Sequence, residues 1–238
     1  LGEAPMQALR SKTVVLCMKG LEMDTGKRLS QIAGECLDPS NTVAVWLGPG
    51  HVQEFYRGIP NCMVIDSANE EVKRRLVQSF SSDLIRFYYG GDMIGNEVGA
   101  AAKNVVGIAA GFLDGVEMSS LKGALMSRGT REVARLIKAM GGSELSAYGL
   151  CHLGDYEATV FSPYSHNRQF GEAFIRHQDF HRLAEGYYTV EALMLLGRQY
   201  GVELPICRAV HDILYEHAAP QATLQSLLRR GLRAEFDD

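Results

Sequence analysis

The chain has 238 residues and a mass of 26.2 kDa, which suits one large domain or two small ones. Hydrophobic residues make up 46% and charged residues 22%, so the chain can bury a sizeable core. The net charge is −4 and the basic residues are scattered, which argues against a nucleic-acid surface. The longest apolar stretch, 105–113, is too short to span a bilayer, and no signal-peptide pattern is found. We therefore expect a cytoplasmic protein without nucleic-acid or membrane partners.

The five cysteines are odd in number and include no C-x-x-C pair. This pattern predicts neither a disulfide framework nor a zinc site, and it favours a reducing compartment. We expect no bound metal.

The first 90 residues alternate between apolar runs and stretches of helical spacing. The runs predict strands and the stretches predict helices: strands at 12–18, 42–47, 62–65 and 84–89, helices at 25–37 and 69–80. Near-continuous apolar runs are typical of a parallel sheet covered by helices on both faces. This half is predicted to be α/β.

After residue 90 the pattern becomes helical. Residues 93–115 are rich in Gly and Ala, whereas 124–140 and 189–201 follow the 3.6-residue period. Gly141 and Gly201 stand where helix C-caps are expected. We therefore predict an α/β domain over 1–92 and an all-α domain over 93–238.

One motif is absent from the sequence. A dinucleotide-binding α/β domain normally carries G-x-G-x-x-G between its first strand and helix, so that the pyrophosphate meets a helix N-terminus. No such fingerprint occurs here. We expect the α/β part to lack the first βαβ units of a doubly wound sheet.

Lys103 lies among glycines at helical spacing. Read as a helix, residues 97–111 bring Gly99, Lys103, Gly107 and Gly111 onto one face. A lysine in such a cleared, apolar surround loses hydration, its pKa falls, and it can act as an acid or a base. Alternatively, the face is a small-residue packing surface from which the lysine extends into solvent.

The segment 149–171 offers a candidate anion site. Ser162 or Ser165 is predicted to cap a helix, and the N-terminus of that helix, with Asn167 and Arg168, suits an anion. Alternatively, this is an ordinary capped helix with solvated polar residues.

Three other positions are candidates for ligand contact. Lys19 follows the first predicted strand and Gly48 follows the second, and open α/β sheets bind ligands at such ends. Asp155 lies in a predicted loop after Gly154. Each of these signals is common when it occurs alone.

In this order, the segments resemble motifs of the NAD(P)-dependent glycerol-3-phosphate dehydrogenase family. The similarity runs from about Gln7 to beyond Pro205. It covers K-G-L, G-P, E-x-x-x-A-x-K-N-V, A-A-G-x-x-D-G, G-L-x-x-L-G-D and S-P-x-S-x-N-R-x-F-G, which begin at residues 19, 48, 97, 109, 149 and 162. The resemblance implies a partial Rossmann-type domain followed by an all-α domain. It also implies a homodimer of glycerophospholipid metabolism that transfers a hydride between NAD(P)H and dihydroxyacetone phosphate to give sn-glycerol 3-phosphate.

The resemblance also implies residue roles. Lys103 would exchange a proton with the C2 oxygen, and Asp155 would hold that lysine. The substrate-binding residues would be Lys19, Gly48, Gly50, Asn104, Thr159, Ser165, His166 and Asn167. The residues bordering NAD or NADP would be Lys19, Val52, His166, Leu183 and Glu185.

Five positions depart from the family pattern. His166 stands where the family usually has arginine, Gly50 where it has threonine, and Met18 where it has threonine before the lysine. His51 and Val52 stand where the family usually has Phe and Ala. A guanidinium is permanently charged and forked, whereas an imidazole is only partly charged near neutral pH. Arg168 is a candidate to supply part of the missing charge. The departures leave two alternatives open, a degenerate non-enzymatic relative and a related dehydrogenase for another small phosphorylated alcohol.

Overall fold

The structure is a computed structural model that describes residues 8–50, 52–229 and 235. Its first part alternates strands and helices: β1 (Thr13–Leu16), α1 (Leu29–Cys36), β2 (Thr42–Leu47), α2 (Val52–Tyr56), β3 (Asn61–Asp66), α3 (Glu70–Phe80) and β4 (Ile85–Tyr89). The four predicted strands and the two predicted helices are confirmed. Helix α1 begins four residues later than predicted, because Gly26 turns with a φ of +70° and Leu21 bridges Arg28 just before the helix.

The four strands form one sheet in the order β1-β2-β3-β4. Strands β1 and β2 are parallel, as are β3 and β4, but β2 and β3 are antiparallel, with Trp46 opposite Ile65. The prediction of a parallel sheet is therefore wrong at its centre. The physical reason is the short connection after β2. The helix in this connection, α2, has only five residues, whereas the two parallel connections contain α1 with eight and α3 with eleven, and a parallel pair needs such a crossover.

The second part is helical. It contains α4 (Met93–Gly115), α5 (Lys122–Ala139), α6 (His166–Ile175), α7 (Glu185–Tyr200), α8 (Pro205–Leu214) and α9 (Pro220–Leu228), with short turns at Ser119–Leu121, Glu144–Tyr148, Leu153–Asp155 and Glu157–Phe161. Gly141 and Gly201 adopt φ values of +87° and +66° at helix ends, as expected for C-caps. The predicted fold class, a partial Rossmann-type α/β domain followed by an all-α domain, is confirmed.

Helix α4 lies at the centre of the molecule, and every residue from Gly95 to Leu113 is buried. Ala100 packs with Leu16 and Val45 of the sheet, whereas Ile108 belongs to the cluster that joins the helices. Small side chains allow this helix to approach neighbours on all sides. None of the helices in the described residues is long and apolar enough to cross a membrane.

Candidate active site

The carboxyl ends of β1 and β2 meet at one edge of the sheet. Because the two strands are parallel, Lys19 beyond β1 and Gly48 beyond β2 become neighbours. The Lys19 ammonium donates a hydrogen bond to the Gly48 carbonyl oxygen at 3.0 Å. Both residues therefore lie at the carboxyl ends of their strands, as predicted, and they are in contact.

A buried carboxylate links this edge to helix α4. Asp155 Oδ2 lies 2.7 Å from Lys19 Nζ and 3.0 Å from Lys103 Nζ. Asp155 is 1% exposed and Lys103 is 7% exposed, so the charges meet largely out of water. Two ammonium groups share one carboxylate, and the site carries a positive charge when all three groups are ionised.

Lys103 does not extend into solvent. Its ammonium donates a hydrogen bond to Thr159 Oγ1 at 2.8 Å and pairs with Asp155. The pKa of Lys103 is lowered to about 8, mainly by burial; the nearby Asp155 carboxylate opposes this effect, and the Lys19 cation adds to it. The surround is therefore buried as predicted, but it is charged rather than apolar. A lysine with this pKa can hold or release a proton near neutral pH.

The space next to the glycines around Lys103 is occupied by other parts of the protein. A Cβ at Gly99 would lie 3.0 Å from the Cβ of His152, and one at Gly111 would lie 2.1 Å from the carbonyl oxygen of Arg168. At Gly107 the nearest group is the Thr159 methyl, at 2.8 Å. Both alternatives of the sequence analysis thus hold in part: the face is a packing surface, and the lysine on it stays buried.

Asp155 is held by residues that the sequence analysis missed. It ends a short 3₁₀ turn, Leu153–Asp155, where a loop was predicted. His152 Nδ1 contacts the Gly99 carbonyl oxygen of α4 at 2.8 Å, and the Tyr156 hydroxyl contacts His152 Nε2 at 2.7 Å. Burial lowers the pKa of His152 to about 4, so its ring is neutral: Nδ1–H donates to Gly99 and Nε2 accepts from Tyr156. The only sequence signal was a His and a Tyr four residues apart around an Asp.

The N-terminus of α6 packs close to the same site. Ser165 is the N-cap, and its hydroxyl accepts from the Arg168 amide at 3.3 Å. Asn167 Oδ1 accepts a hydrogen bond from the Gly186 amide at 2.9 Å, so the Asn167 NH₂ group faces away from Gly186. Ser165 and Asn167 are both buried, so the alternative of solvated polar residues is wrong for these two.

Asn104 and Glu185 connect α4 with α7. Asn104 Nδ2 donates to Glu185 Oε2 at 3.0 Å. A Cβ at Gly186 would lie 2.6 Å from the carbonyl oxygen of Asn104, so only glycine allows the two helices this approach. Asn104, which follows the predicted acid Lys103, is thereby held against Glu185, a residue predicted to border the cofactor.

The guanidinium of Arg168 is engaged in contacts within the protein. Its guanidinium lies 2.8 Å from Asp114 and 3.1 Å from Glu172, and its Nε donates to the Ser162 carbonyl. Burial alone would raise the pKa of Asp114, but bonds from Lys122, Ser119 and Arg168 outweigh it and lower that pKa. The charge of Arg168 is already balanced by these two carboxylates, so its contacts do not support the prediction that it helps to hold a phosphate.

His166 instead lies beside another arginine. His166 is exposed in the first turn of α6, and Arg182 Nη1 lies 3.3 Å from its Nε2. Arg182 lies outside every motif segment, so the sequence analysis did not identify it as a candidate site residue.

Gly50 has a local reason for departing from threonine. Its φ is +143°, which favours glycine, and a Cβ there would lie 2.6 Å from the Phe55 ring. Gly48 likewise has a φ of +128° and would meet the Met63 backbone at 3.1 Å. Both glycines therefore offer the backbone rather than a side chain at the sheet edge.

Three exposed apolar side chains are close in sequence to candidate site residues. Met18, Val52 and Leu183 are exposed large hydrophobic residues, and they adjoin Lys19, the Gly50 turn and the start of α7. Such side chains suit contact with the nicotinamide end of NAD(P). The pyrophosphate end has no counterpart among the described residues, because the sequence contains no G-x-G-x-x-G.

Comparison with known proteins identifies the family. The family models for the N-terminus and the C-terminus of NAD-dependent glycerol-3-phosphate dehydrogenase match residues 4–73 and 92–225. A glycerol-3-phosphate dehydrogenase [NAD(P)+] of Pelodictyon phaeoclathratiforme is 33% identical over 240 residues, which cover 96% of this chain and 72% of that protein. One from Thermus thermophilus is 39% identical over 194 residues, covering 79% of this chain and 60% of the relative.

A solved structure gives the same result. The crystal structure of glycerol-3-phosphate dehydrogenase from Coxiella burnetii superimposes with a TM-score of 0.85 at 30% identity, over 92% of this chain and 69% of that one. The sequence and the fold therefore agree with the motif resemblance from the sheet edge to helix α8. The chain belongs to the NAD(P)-dependent glycerol-3-phosphate dehydrogenase family, a family of oxidoreductases.

Proposed function

We propose that this chain reduces dihydroxyacetone phosphate to sn-glycerol 3-phosphate, with Lys103 as the proton donor. The observation that carries the proposal is the position of the Lys103 ammonium. It is buried at the sheet edge, 3.0 Å from Asp155 and 2.8 Å from Thr159, with a pKa of about 8. An acid with a pKa near the working pH suits proton transfer in both directions.

The reaction needs one proton at the C2 oxygen. NAD(P)H, when bound, supplies the hydride for C2. Lys103 Nζ donates its proton to the carbonyl oxygen as that oxygen gains negative charge, and the lysine remains as a neutral amine. In the reverse direction the amine takes the proton from the C2 hydroxyl. Asp155 orients the ammonium and stabilises its charged form, and burial of Lys103 keeps water from competing for the proton.

The remaining residues orient the substrate and the cofactor. Support for these roles comes from the family motifs and, for Lys19 and Thr159, from their contacts with Asp155 and Lys103. The substrate residues are Lys19, Asn104 and Thr159 near C2, the backbone of Gly48 and Gly50 at the sheet edge, and Ser165, His166 and Asn167 at the phosphate. The residues that border NAD or NADP are Lys19, Val52, His166, Leu183 and Glu185.

We also propose the larger organisation that the family suggests. Residues 1–92 would be the C-terminal part of a Rossmann-type domain and 93–238 the helical domain, which is supported by the position of all described strands before residue 90. A cytoplasmic homodimer is the proposed working form. Sedimentation of the purified protein at micromolar concentration tests the dimer.

Replacement of the proposed acid tests the reaction. In Lys103→Met the side chain keeps its length and loses its proton, so kcat for dihydroxyacetone phosphate should fall by about 10²–10⁴. The control is Lys138→Met, which removes an exposed lysine of α5 whose ammonium lies 3.5 Å from Glu144. NAD(P)H oxidation gives the rate, and circular dichroism checks that both variants fold.

The outcomes separate the alternatives. Near-normal turnover in Lys103→Met would contradict the proposed role of the lysine. Absence of turnover in the unaltered protein would favour the non-enzymatic relative, and turnover only with another small phosphorylated alcohol would favour the related dehydrogenase.

A further inference from the structure

Arg182 and His166 form a pair at the rim of the proposed active site. Both side chains are exposed, and Arg182 Nη1 lies 3.3 Å from His166 Nε2. His166 is the first residue of helix α6, immediately after the N-cap Ser165. Arg182 lies in the segment that leads into helix α7.

The chemistry of this contact determines which residue carries the charge. A guanidinium has only donors, so the imidazole nitrogen that it faces must accept the hydrogen bond. His166 Nε2 is therefore the acceptor in this contact, and the permanent positive charge of the pair belongs to Arg182. The guanidinium keeps that charge at any physiological pH.

The pair is tied to the site by buried contacts. Asn167, which follows His166, accepts a hydrogen bond from the Gly186 amide at 2.9 Å. The segment that contains Arg182 is thus anchored to the N-terminus of α6. A Cβ at Gly107 would lie 3.2 Å from the Cβ of Asn167, and Gly107 is one helical turn beyond Lys103.

The neighbouring cations are already paired with carboxylates. Arg168 lies 2.8 Å from Asp114, and Lys19 and Lys103 share Asp155. Among the ion pairs of the described residues none involves Arg182, whose guanidinium lies 5.9 Å from the centroid of the Phe180 ring. Its guanidinium is near a helix N-terminus, where backbone amides and the helix dipole also favour an anion.

We propose that Arg182 binds the phosphate group of the substrate and supplies the permanent charge that residue 166 lacks. This inference rests on the proposed function, since it assigns a residue to the phosphate end of that reaction. Arg182 would contact two phosphate oxygens through its fork while it also donates a hydrogen bond to His166. Arginine at position 166 and arginine at position 182 are then alternative ways to charge the same place.

The test compares substrates with and without a phosphate. In Arg182→Gln, kcat/KM for dihydroxyacetone phosphate should fall at least about tenfold, mostly through KM, because a charge-assisted hydrogen bond is lost. The value for dihydroxyacetone should stay unchanged. The matched control is Arg176→Gln, an exposed arginine of the α6 C-cap that pairs with Glu172 at 3.0 Å. In the Arg182→Gln background, His166→Arg should restore the KM.

Each result supports or overturns the proposal. An equal loss with both substrates would mean a structural role, and a rise only in the KM for NAD(P)H would place Arg182 at a cofactor phosphate; either result overturns the inference. Unchanged kinetics in Arg182→Gln would do the same while the proposed function stands. If the unaltered protein shows no turnover, the proposed function fails separately. Calorimetric titration with inorganic phosphate then decides the inference, since Arg182→Gln should weaken this binding and Arg176→Gln should not.

Discussion

The substitution Asp155→Asn tests how the charges of the site depend on one another. Asparagine has the same shape as aspartate but no charge. Lys19 and Lys103 would keep a neighbour at 2.7 and 3.0 Å and lose their shared counter-ion. Because two cations then face each other in a buried place, the ammonium form of Lys103 becomes less favourable.

The size of the effect follows from the separation of the charges. An ion pair at about 4 Å with an effective dielectric constant of about 20 is worth about 4 kcal/mol, which equals about three pKa units. Water that enters the site, or movement of Lys19, reduces this value. We therefore expect the pKa of Lys103 to fall from about 8 by between about one and three units.

The assay is the pH profile of dihydroxyacetone phosphate reduction. Reduction needs the ammonium form of Lys103, so in the unaltered protein the rate should fall as the pH rises through about 8. In Asp155→Asn this alkaline limb should move to lower pH by at least about one unit. The control is Glu157→Gln, which removes an exposed carboxylate two residues away and should leave the limb in place. A limb that stays near pH 8 in Asp155→Asn, or moves upward, would refute the charge coupling.

Two further predictions concern stability. Burial lowers the pKa of His152 to about 4 in the folded state, from the 6.5 of an imidazole in water. The unfolded chain therefore binds the proton first, and stability present above pH 6.5 is lost as the pH falls. Between pH 7.5 and 5 the free energy of unfolding in urea should drop by about 2 kcal/mol through this group. His152→Gln should remove that part of the drop and exposed His181→Gln should not; equal drops would contradict the assignment. Gly111→Ala, with a Cβ 2.1 Å from a carbonyl oxygen, should cost about 3 kcal/mol, whereas Gly123→Ala, with nothing within 4 Å, should not destabilise. Similar melting temperatures for the two variants would count against the packing argument.

Most elements of the fold could be predicted from local patterns. The apolar run 42–47 matches β2 residue for residue, and Ser165 caps α6 as one of the two predicted serines. The antiparallel pairing of β2 with β3 could not be predicted in this way. A strand buried on both faces has the same apolar pattern in either direction, so only the length of the connection determines its orientation.

The candidate site was only partly predictable. Lys103 could be recognised because three glycines share its helix face, which is a local property of the sequence. The pairing of Lys19 with Asp155 joins residues 136 positions apart and depends on the packing of sheet against helices. The contact between Arg182 and His166 likewise arises only in the folded chain. Short 3₁₀ and π turns around Asp155 and Thr159 have no periodicity that a sequence reading could detect.

On the proposed function, the charges of the site also connect substrate binding with proton transfer. Two ammonium groups share the Asp155 carboxylate, and burial keeps the pKa of Lys103 near 8, so part of the protein lacks the proton at mildly alkaline pH. A phosphate dianion held at the N-terminus of α6 brings negative charge towards these ammonium groups. Negative charge favours the protonated form of a nearby lysine, so binding of the substrate raises the fraction of Lys103 that can donate. The bound phosphate therefore does more than hold the substrate, because it also favours the protonated form of Lys103 that donates the proton in the reduction.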